Sequence, residues 1–376
     1  MPRHTIEVGD LTVEPVWSDS LGAKSTCCRV ETPDTSICVD PGVAAMQPSY
    51  PLADDLKGRY REVAREAVES AVDRSEHVAI SHYHFDHYAP DPSRYGDATL
   101  WLKDPNQWIN DSQWHRAREF LRALADHHGA DLETTDPRRE TYPDPYDDLD
   151  HAREKDFGDY QERREELLSK WRERFWNRVE RWTSEPWVCE PAFANFADDA
   201  AFTVGDTTIR FLGPLFHGIE YARTGWVLAT VVETPEVTFL HSSDLQGPVV
   251  EDYADRIVDV DPDVLFLDGP ATYLLGPMLN RTNLQRSVDN AARIVREVDP
   301  ACTWFDHHLL RETQYRERTE TVWDLRDEGY AVQTVAEFEG QAPLVDLVED
   351  ASEEELRERV EREGERVRQY SSNSDS

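Results

Sequence analysis

The segment that most restricts the fold of this chain is Ser81–His87, which reads Ser-His-Tyr-His-Phe-Asp-His and directly follows the apolar run His77–Ile80. Histidine makes up only 13 of the 376 residues, so this density of imidazoles is rare by chance. Beyond the end of a strand, His82 and His84 can turn toward one point, and the Asp-His pair that follows can face a second point. Neutral imidazole and carboxylate suit Zn²⁺ and comparable ions. The motif therefore predicts a metal site, not a chance cluster of surface histidines.

Further candidates share one placement, because each lies just past the end of a predicted strand. They are Asp40, His217, Asp244 and the adjacent pair His307 and His308. Side chains at the ends of several strands converge on one rim of a sheet, where α/β enzymes build their sites. Taken alone, Asp40 or Asp244 is better explained as a turn residue. In this order with the histidine motif, the candidates indicate one shared metal centre.

Short apolar runs rich in β-branched and aromatic residues predict the strands. The clearest are Leu11–Trp17, Thr35–Val39, His77–Ser81, Thr208–Leu212, Trp226–Val232, Val237–Leu240, Val264–Leu267 and Cys302–Phe305. Helical patterns cover Asp54–Val72, Asn283–Val298 and Thr313–Asp327. Early strands without helices, followed by strands that alternate with helices, favour a mixed α/β fold with sheets packed between helices.

The stretch from about residue 104 to 191 differs from its surroundings. It holds two helical segments separated by the Pro- and Asp-rich break Thr135–Asp150. The second segment has one apolar face, formed by Leu168, Trp171, Phe175, Val179 and Trp182. Because such stripes more often pack against a core, we favour simple packing of this helix over a role as a lid. The stretch is predicted to be a helical insertion in a catalytic domain of residues 1–345.

Residues 346–376 are predicted to form an acidic C-terminal helix and tail. Ser352–Glu355 is a capping box that opens a heavily charged helix reaching about Tyr370. Only Leu356, Val360 and Val367 can anchor this helix. Ser371–Ser376 is expected to be disordered.

Composition bounds the environment of the protein. The formal net charge is −36, from 76 acidic and 40 basic residues, and only five of the basic residues are lysine. Such a surface keeps a protein hydrated in concentrated salt, so we expect the cytoplasm of a halophile. There is no basic patch, so nucleic acid is not indicated as a partner. It is not excluded either, because counterion release yields little at high salt.

Cysteine usage and hydropathy agree with this location. The five cysteines include an adjacent pair and no CxxC motif, which predicts reduced thiols. No run of 18 apolar residues occurs, and Met1–His4 opens no apolar signal segment. We therefore expect no membrane span and no recognisable secretion signal. The oligomeric state is left open.

The candidates, taken in order from Asp40 to the last histidine pair, resemble the five motifs of the metallo-β-lactamase superfamily. The resemblance covers residues 10 to about 340, apart from the helical insertion. The wording of Val39–Gly42, Ser81–His87, Ser243–Pro248, Gly269–Tyr273 and Asp306–Arg311 is similar to that of a family of archaeal hydrolases of this fold with unassigned substrate. The gap of 63 positions from Asp244 to His307 leaves no room for a β-CASP nuclease domain, and no flavodoxin-like domain follows.

This resemblance implies an αββα sandwich with two divalent metals at its rim. It implies that His82, His84 and His217 bind one metal. The second would be bound by Asp86, His87 and the last histidine, for which we favour His307 over His308. Asp244 would bridge the two metals, and Asp40 would orient ligands from behind. Asp40, Asp86 and Asp244 are thus the carboxylates expected to serve catalysis.

The expected activity is hydrolysis by a water that two metals share and activate. The substrate is a small molecule or a phosphodiester; ester, thioester and lactone bonds are alternatives. The metals are expected to be Zn²⁺, with Mn²⁺ or Fe²⁺ also compatible. Rival interpretations are an iron-dependent oxidoreductase with the same ligands and a non-catalytic metal-binding protein. A complete ligand set argues against the last of these.

Several residues near the predicted ligands are expected to have structural or supporting roles. Arg311 is expected to be a surface or ion-pair residue, although it could fix the histidine pair or meet an anionic substrate. His241 is expected to be a satisfied structural histidine. Asp268 ends a strand, and Tyr273 could donate a hydrogen bond to substrate.

Overall fold

A computed structural model describes residues 4–374 of the chain, with side chains described as far as Tyr370. Its first sheet has seven strands in the order β1-β2-β3-β4-β5-β6-β9. The strands up to the insertion are β1 (Ile6–Val8), β2 (Leu11–Ser18), β3 (Thr26–Glu31), β4 (Ser36–Val39), β5 (His77–Ile80) and β6 (Thr99–Leu102). The insertion carries the two-stranded sheet β7 (Thr134–Thr135) and β8 (Trp187–Val188), and β9 (Ala194–Phe196) then completes the first sheet.

The second sheet also has seven strands, which follow one another in chain order. They are β10 (Ala201–Val204), β11 (Thr207–Phe216), β12 (Trp226–Glu233), β13 (Thr238–His241), β14 (Val264–Asp268), β15 (Cys302–Asp306) and β16 (Val332–Gln333). The first four are antiparallel, and β13 to β16 are parallel. The carboxyl ends of β13, β14 and β15 therefore meet at one edge.

Helices cover both sheets. They are α1 (Asp54–Asp73), α2 (Asp111–His128), α3 (Asp150–Glu154), α4 (Gln161–Ser184), α5 (Glu251–Val260), α6 (Arg281–Val298), α7 (Tyr315–Arg318), α8 (Glu320–Trp323), α9 (Val335–Phe338), α10 (Leu344–Leu347) and α11 (Glu353–Ser374). Helix α1 packs against β2 and α11, while α5 and α6 pack against each other beside β13. Two mixed sheets between helices are the αββα sandwich expected from the sequence. Among the described residues, no helix combines the length and the apolar character needed to cross a bilayer.

The two sheets share one apolar core and also meet through polar contacts. Trp101 of β6 stacks on Phe202 of β10, with ring centroids 4.0 Å apart. Nearer the rim, the Ser18 hydroxyl donates to Asp306 Oδ1 over 2.6 Å. The Ser18–Asp306 contact joins residues 288 positions apart in the chain, and together the two contacts fix how the two sheets face each other.

One predicted helix is broken in the structure. The pattern over Thr313–Asp327 gives α7, α8 and a 3-10 turn over Asp324–Arg326. Thr319 lies at the break with φ −126°, and its hydroxyl donates to the carbonyl of Tyr315 over 2.7 Å. A threonine hydroxyl that bonds the backbone four residues earlier competes with the regular helical ladder.

The insertion lies between β6 and β9, and α4 is packed rather than free. The side chains of Phe175 and Trp182 are buried, and the Trp182 indole donates to the carbonyl of Ile109 over 3.2 Å. Trp182 also contacts Trp226 of β12, with ring centroids 5.5 Å apart. Simple packing of this apolar stripe is confirmed.

A buried ion-pair network joins the same helix to the second sheet. Arg164 Nη2 lies 2.8 Å from Glu220 Oε1, and Arg286 Nη2 lies 2.7 Å from that same oxygen. Burial alone would raise the pKa of Glu220, but the two arginines outweigh it and lower the pKa to about 2. The carboxylate therefore stays charged, so that α4 and α6 are held to one residue beside β11.

The C-terminal helix begins where the capping box predicts. Glu355 accepts hydrogen bonds from the backbone and hydroxyl of Ser352 over 2.8 and 2.7 Å. The three predicted anchors, Leu356, Val360 and Val367, are buried. Helix α11 continues to Ser374, so the expected end near Tyr370 and the expected disorder of residues 371–374 are wrong. The rest of that predicted tail, residues 375–376, and the first three positions of the Met1–His4 segment lie outside the described residues.

Candidate metal centre

The strand ends bring the predicted ligands to one buried place between the sheets. Strands β4 and β5 are parallel, so Asp40 and Ser81 leave the first sheet side by side. The backbone N–H of Ser81 donates to Asp40 Oδ1 over 2.8 Å. Residues 82–87 then form a compact turn below the second sheet. From that sheet, His217 follows β11, Asp244 follows β13 and the histidine pair follows β15.

One cluster consists of His82, His84, His217 and Asp244, whose ligand-type atoms all lie within 4.8 Å of one another. Asp244 Oδ2 lies 3.3 Å from His82 Nε2 and 2.9 Å from His217 Nε2. Three imidazoles and one carboxylate are the donors that a zinc ion accepts in a four-coordinate site. We refer to these four residues as the first cluster.

Asp86, His87 and His307 form a second cluster within the same distance limit. The other oxygen of Asp244, Oδ1, lies 3.0 Å from His87 Nε2 and 3.3 Å from His307 Nε2. The two oxygens of Asp244 thus face different clusters. The favoured ligand of the histidine pair, His307, is the one that lies with Asp86 and His87. His308 lies on the other side, with Nε2 3.9 Å from Asp244 Oδ2.

Two buried atoms of this centre favour a cation between them. His87 Nε2 and Asp244 Oδ1 are both buried and lie 3.0 Å apart, but neither has a partner with good hydrogen-bond geometry among the described residues. An unsatisfied buried polar atom costs about 1–3 kcal/mol. Because a metal ion would engage both atoms, the donors present fit a metal in the second cluster as well as in the first.

Asp40 takes the supporting position that the resemblance implies. Its Oδ2 accepts from Ser81 Oγ over 2.7 Å and lies 2.9 Å from His87 Nδ1. Ser81 Oγ in turn lies 2.9 Å from His82 Nδ1. One buried carboxylate therefore orients a histidine of each cluster and directs the Nε2 atoms toward Asp244.

Asp19 was not predicted from the sequence, yet it supports His307 in the same way as Asp40 supports His87. Asp19 lies in a 3-10 turn after β2, and its Oδ1 lies 2.8 Å from His307 Nδ1. Its Oδ2 accepts from Arg311 Nε over 2.7 Å. Burial alone would raise the pKa of Asp19, but Arg311 and His307 lower it well below the usual range. A polar Asp-Ser pair that follows an apolar strand was the available signal.

Arg311 is a buried ion-pair residue and not a surface residue. Its Nη2 lies 3.1 Å from Asp86 Oδ2 and 3.1 Å from His307 Nε2. The guanidinium therefore contacts the atoms of the second cluster that a cation would use. The first cluster has no such neighbour among the described residues.

Asp268 was expected only to end a strand, and the structure places it behind His308. Its Oδ1 lies 3.0 Å from His308 Nδ1, and its Oδ2 accepts from the backbone N–H of Gln246 over 2.9 Å. Burial raises the pKa of Asp268 to about 7. The pair Asp268–His308 thus repeats the geometry of Asp19–His307 on the side of the first cluster.

The protonation of the imidazoles differs between the clusters. Burial lowers the pKa of His82 to about 4 and that of His84 well below its usual value. In the second cluster, burial also acts to lower the pKa of His307, but Asp19 and Asp244 outweigh it and raise the pKa to about 10. Asp244 and Asp40 raise the pKa of His87 in the same way. Without metal, His82 and His84 are therefore neutral at pH 7, whereas His87 and His307 hold protons.

His241 has the structural role expected for it. Its Nδ1 accepts from the backbone N–H of Ser243 over 3.2 Å, and its Nε2 lies 2.8 Å from the carbonyl of Thr26. Both nitrogens are therefore satisfied in one neutral tautomer. The ring joins β13 to β3 and does not face the clusters.

Local backbone strain is concentrated at the centre. Asp40, Ser243 and His307 have φ values of 51°, 51° and 73°. Positive φ in residues with a side chain costs of order 1 kcal/mol and persists where the surroundings impose it. A Cβ on Gly42 would lie 2.2 Å from the backbone nitrogen of His87, so only glycine lets this loop pass behind the motif.

Two mixed sheets between helices, with the five motifs at facing strand ends, define a metallo-β-lactamase-fold protein. The curated relatives found for the chain are archaeal UPF0282 proteins. The UPF0282 protein of Methanopyrus kandleri is 29% identical over 331 residues, 84% of this chain and 91% of the relative. That of Methanocaldococcus jannaschii is 28% identical over 348 residues, 89% of this chain and 94% of the relative. No family model matches the chain.

The similarity to solved structures is weaker. CmlA, a diiron β-hydroxylase from Streptomyces venezuelae, is 12% identical with a TM-score of 0.42. The match covers 84% of this chain, which spans about half the length of CmlA (51%). A metallo-β-lactamase from Cronobacter sakazakii is 11% identical with a TM-score of 0.31, over 96% of this chain and 92% of that chain.

Proposed function

We propose that this protein is a metal-dependent hydrolase that acts on an ester-type or phosphodiester bond at a centre of two divalent cations, with zinc as the metal. The first cluster holds one cation through His82, His84 and His217. The second would hold another through Asp86, His87 and His307, and Asp244 would serve both clusters. When bound, the cations supply Lewis acidity and bring the pKa of a shared water close to neutral.

The hydrogen bonds of two serine hydroxyls near the centre are the main observation behind this proposal. Ser81 Oγ donates to Asp40, and Ser243 Oγ donates to Ser81 Oγ over 2.7 Å. Both serines are buried and held in this chain of hydrogen bonds, so neither is available as a nucleophile. A reaction at this centre therefore draws its nucleophile from water, which is the chemistry of a hydrolase rather than of a covalent transferase.

The residues of the chain prepare this chemistry in two ways. Asp40 and Asp19 fix His87 and His307 by accepting from their Nδ1 atoms, which leaves both Nε2 atoms directed at the cation. Burial lowers the pKa values of His82 and His84, so both imidazoles are neutral and ready to bind. The positive charge of Arg311 beside Asp86 and His307 adds to the stabilisation of negative charge that develops during hydrolysis.

The test is a substrate panel on zinc-loaded protein, with bis(4-nitrophenyl) phosphate, a 4-nitrophenyl ester, a thioester and a lactone. We expect hydrolysis of at least one class, lost in His84→Ala and retained in His115→Ala, which changes an exposed histidine. The same rates must be measured without oxygen. Turnover that requires oxygen would replace the hydrolase proposal with an iron oxidoreductase, and no turnover with any metal would contradict it.

A further inference from the structure

A pocket of about 390 Å³ opens beside the first cluster. His217 lies in its wall together with Gln246, whose Nε2 lies 3.4 Å from His217 Nδ1. This volume is in the range of sites for small organic ligands. A pocket of about 450 Å³ lies beside α1, but none of the residues that line it belongs to either cluster. Of these two pockets, the smaller one is therefore the one that reaches the metal centre.

Three further segments line this pocket. Helix α4 of the insertion contributes Trp171 and Arg174, and the loop after β11, which begins with His217, contributes Arg223. The segment after β14 contributes Leu274, and the neighbouring residues 277–279 complete that side. Helix α4 and the segment after β14 carry no proposed metal ligand, so part of the group that would recognise a substrate is separate in the chain from the metal ligands.

Arg174 and Arg223 are the cationic groups of the pocket, and neither forms an ion pair with a carboxylate among the described residues. Arg174 is half-buried, and Arg223 is exposed. Burial lowers the pKa of Arg174, and the charge of Arg223 lowers it further, so the two guanidiniums repel each other. Two close cations in a chain with a net charge of −36 are stabilised by an anion between them.

A neighbour on the same helix shows the contrast. Arg172 Nε lies 2.7 Å from Asp144 Oδ2 and 3.1 Å from the hydroxyl of Tyr221. Its charge is therefore neutralised within the protein. Arg174 lies two positions further along α4 and lines the pocket without such a partner, although acidic residues greatly outnumber basic ones in the chain.

The opposite side of the pocket is apolar. Leu274, Leu279 and Met278 line it, and Met278 is 67% exposed. In the described part of the chain, three large apolar side chains are exposed, and Met278 is the most exposed of them. The other two are Phe85 and Trp176. An exposed methionine at the rim of a pocket is a flexible apolar contact for a ligand.

We propose that this pocket binds a small substrate with an apolar body and a separate anionic group, which Arg174 and Arg223 hold while the scissile bond lies at the metals. The apolar body contacts Leu274, Met278 and Leu279. This inference rests on the proposed function for the scissile bond, but the recognition of the anion does not depend on turnover.

Binding and turnover test the inference separately on zinc-loaded protein. The binding probe is 4-phenylbutane-1-sulfonate, compared with neutral 4-phenylbutan-1-ol, because a sulfonate is a poor zinc ligand. Titration calorimetry is done at the lowest KCl concentration at which the protein stays folded, since salt screens the contact. We expect the sulfonate to bind at least about tenfold more tightly than the alcohol.

Three variants show whether the two arginines cause the preference for the sulfonate. Arg174→Ala/Arg223→Ala should remove it, and Arg174→Lys/Arg223→Lys should restore most of it, because the charge is kept. Lys170→Ala removes an exposed cation from the same helix and should change nothing. Equal affinity for sulfonate and alcohol, or a preference that survives the double alanine variant, overturns the inference.

Turnover adds an independent comparison between mono-4-nitrophenyl glutarate and 4-nitrophenyl butyrate. A lower KM for the anionic ester, lost in the double alanine variant, supports the inference. Arginine-dependent sulfonate binding without any ester or phosphodiester hydrolysis would reject the proposed hydrolase and keep the anion site. Hydrolysis without an arginine-dependent preference for the anionic ester would keep the proposed hydrolase and reject the anion site.

Discussion

The two clusters share Asp244 but differ in the charges around them. The first contains His82 and His84, whose pKa values burial lowers, and no described cation contacts its imidazoles. The second holds imidazoles whose pKa values are raised by Asp19, Asp40 and Asp244, and the guanidinium of Arg311 lies 3.1 Å from both Asp86 and His307. A metal entering the first cluster meets ready donors. A metal entering the second must displace protons and compete with Arg311.

The comparison teaches that two sites with similar ligands need not fill together. The first cluster is organised as a binding site before any metal arrives, whereas the second is balanced by groups of the protein itself. We therefore expect sequential binding, with the first cluster filled at the lower metal concentration. Three experiments test whether the two clusters differ in this way.

The largest effect is expected from removing one histidine of each cluster. Removing His84 takes a ligand from the tighter site, whereas removing His307 affects only the weaker site. In elemental analysis after dialysis, wild type should retain about two metals, and His307→Ala about one. His84→Ala should lose its first-cluster metal and, because only the weaker site is left intact, should retain clearly less than one metal after dialysis. Equal metal content in the two variants, with both folded by circular dichroism, would show that the clusters are equivalent.

A smaller effect is expected from Asp19→Asn, which keeps the shape of the side chain but removes its charge. Asp19 orients His307 and also holds Arg311, so its loss frees the guanidinium to compete for Asp86. Loss of a residue that supports a ligand typically costs 10–100-fold in metal affinity. Zinc titration should show that loss at the second site alone. The surface variant Asp289→Asn is the control, and weakening of both sites would count against the assignment of Asp19.

The smallest effect concerns pH. The pKa of His307 is raised to about 10, so without metal it is protonated at pH 7 and must lose that proton on binding. The second affinity should therefore rise with pH up to about 10, by about tenfold per pH unit for each proton released. The pKa of His82 is lowered to about 4 and that of His84 is also lowered, so these two ligands release no proton above about pH 5 and the first affinity should depend less on pH than the second. Calorimetry in buffers of different ionisation enthalpy measures the proton count, and equal release at both steps would remove the distinction.

Much of the centre could be predicted because strand ends and metal chemistry leave local marks. A strand followed by the histidine motif fixed the position of His82 to His87. Each of the other proposed ligands also lies past the end of a predicted strand. The preference for His307 over His308 rested on its closeness to the end of β15, and the structure places it with Asp86 and His87.

What the sequence could not predict depends on contacts between distant segments. Asp19 reaches His307 across 288 positions, and its one local signal, a polar pair after an apolar strand, is also typical of an ordinary turn aspartate. Arg311 is buried only because Asp19 and Asp86 neutralise it, so its sequence context suggested a surface residue. The break in the helix at Thr319 depends on one hydroxyl, which the periodicity of the apolar residues does not reveal.

The position of α4 has a consequence for how such proteins can diversify. It contributes Trp171 and Arg174 to the pocket, yet it supplies no candidate ligand and lies in an insertion between β6 and β9. A change in this segment can alter which molecule is accepted while the reactive centre keeps its geometry. Substitutions at the pocket-lining positions of α4, such as Trp171 and Arg174, would therefore give new specificities at little risk to the chemistry, provided that Arg164 stays paired with Glu220.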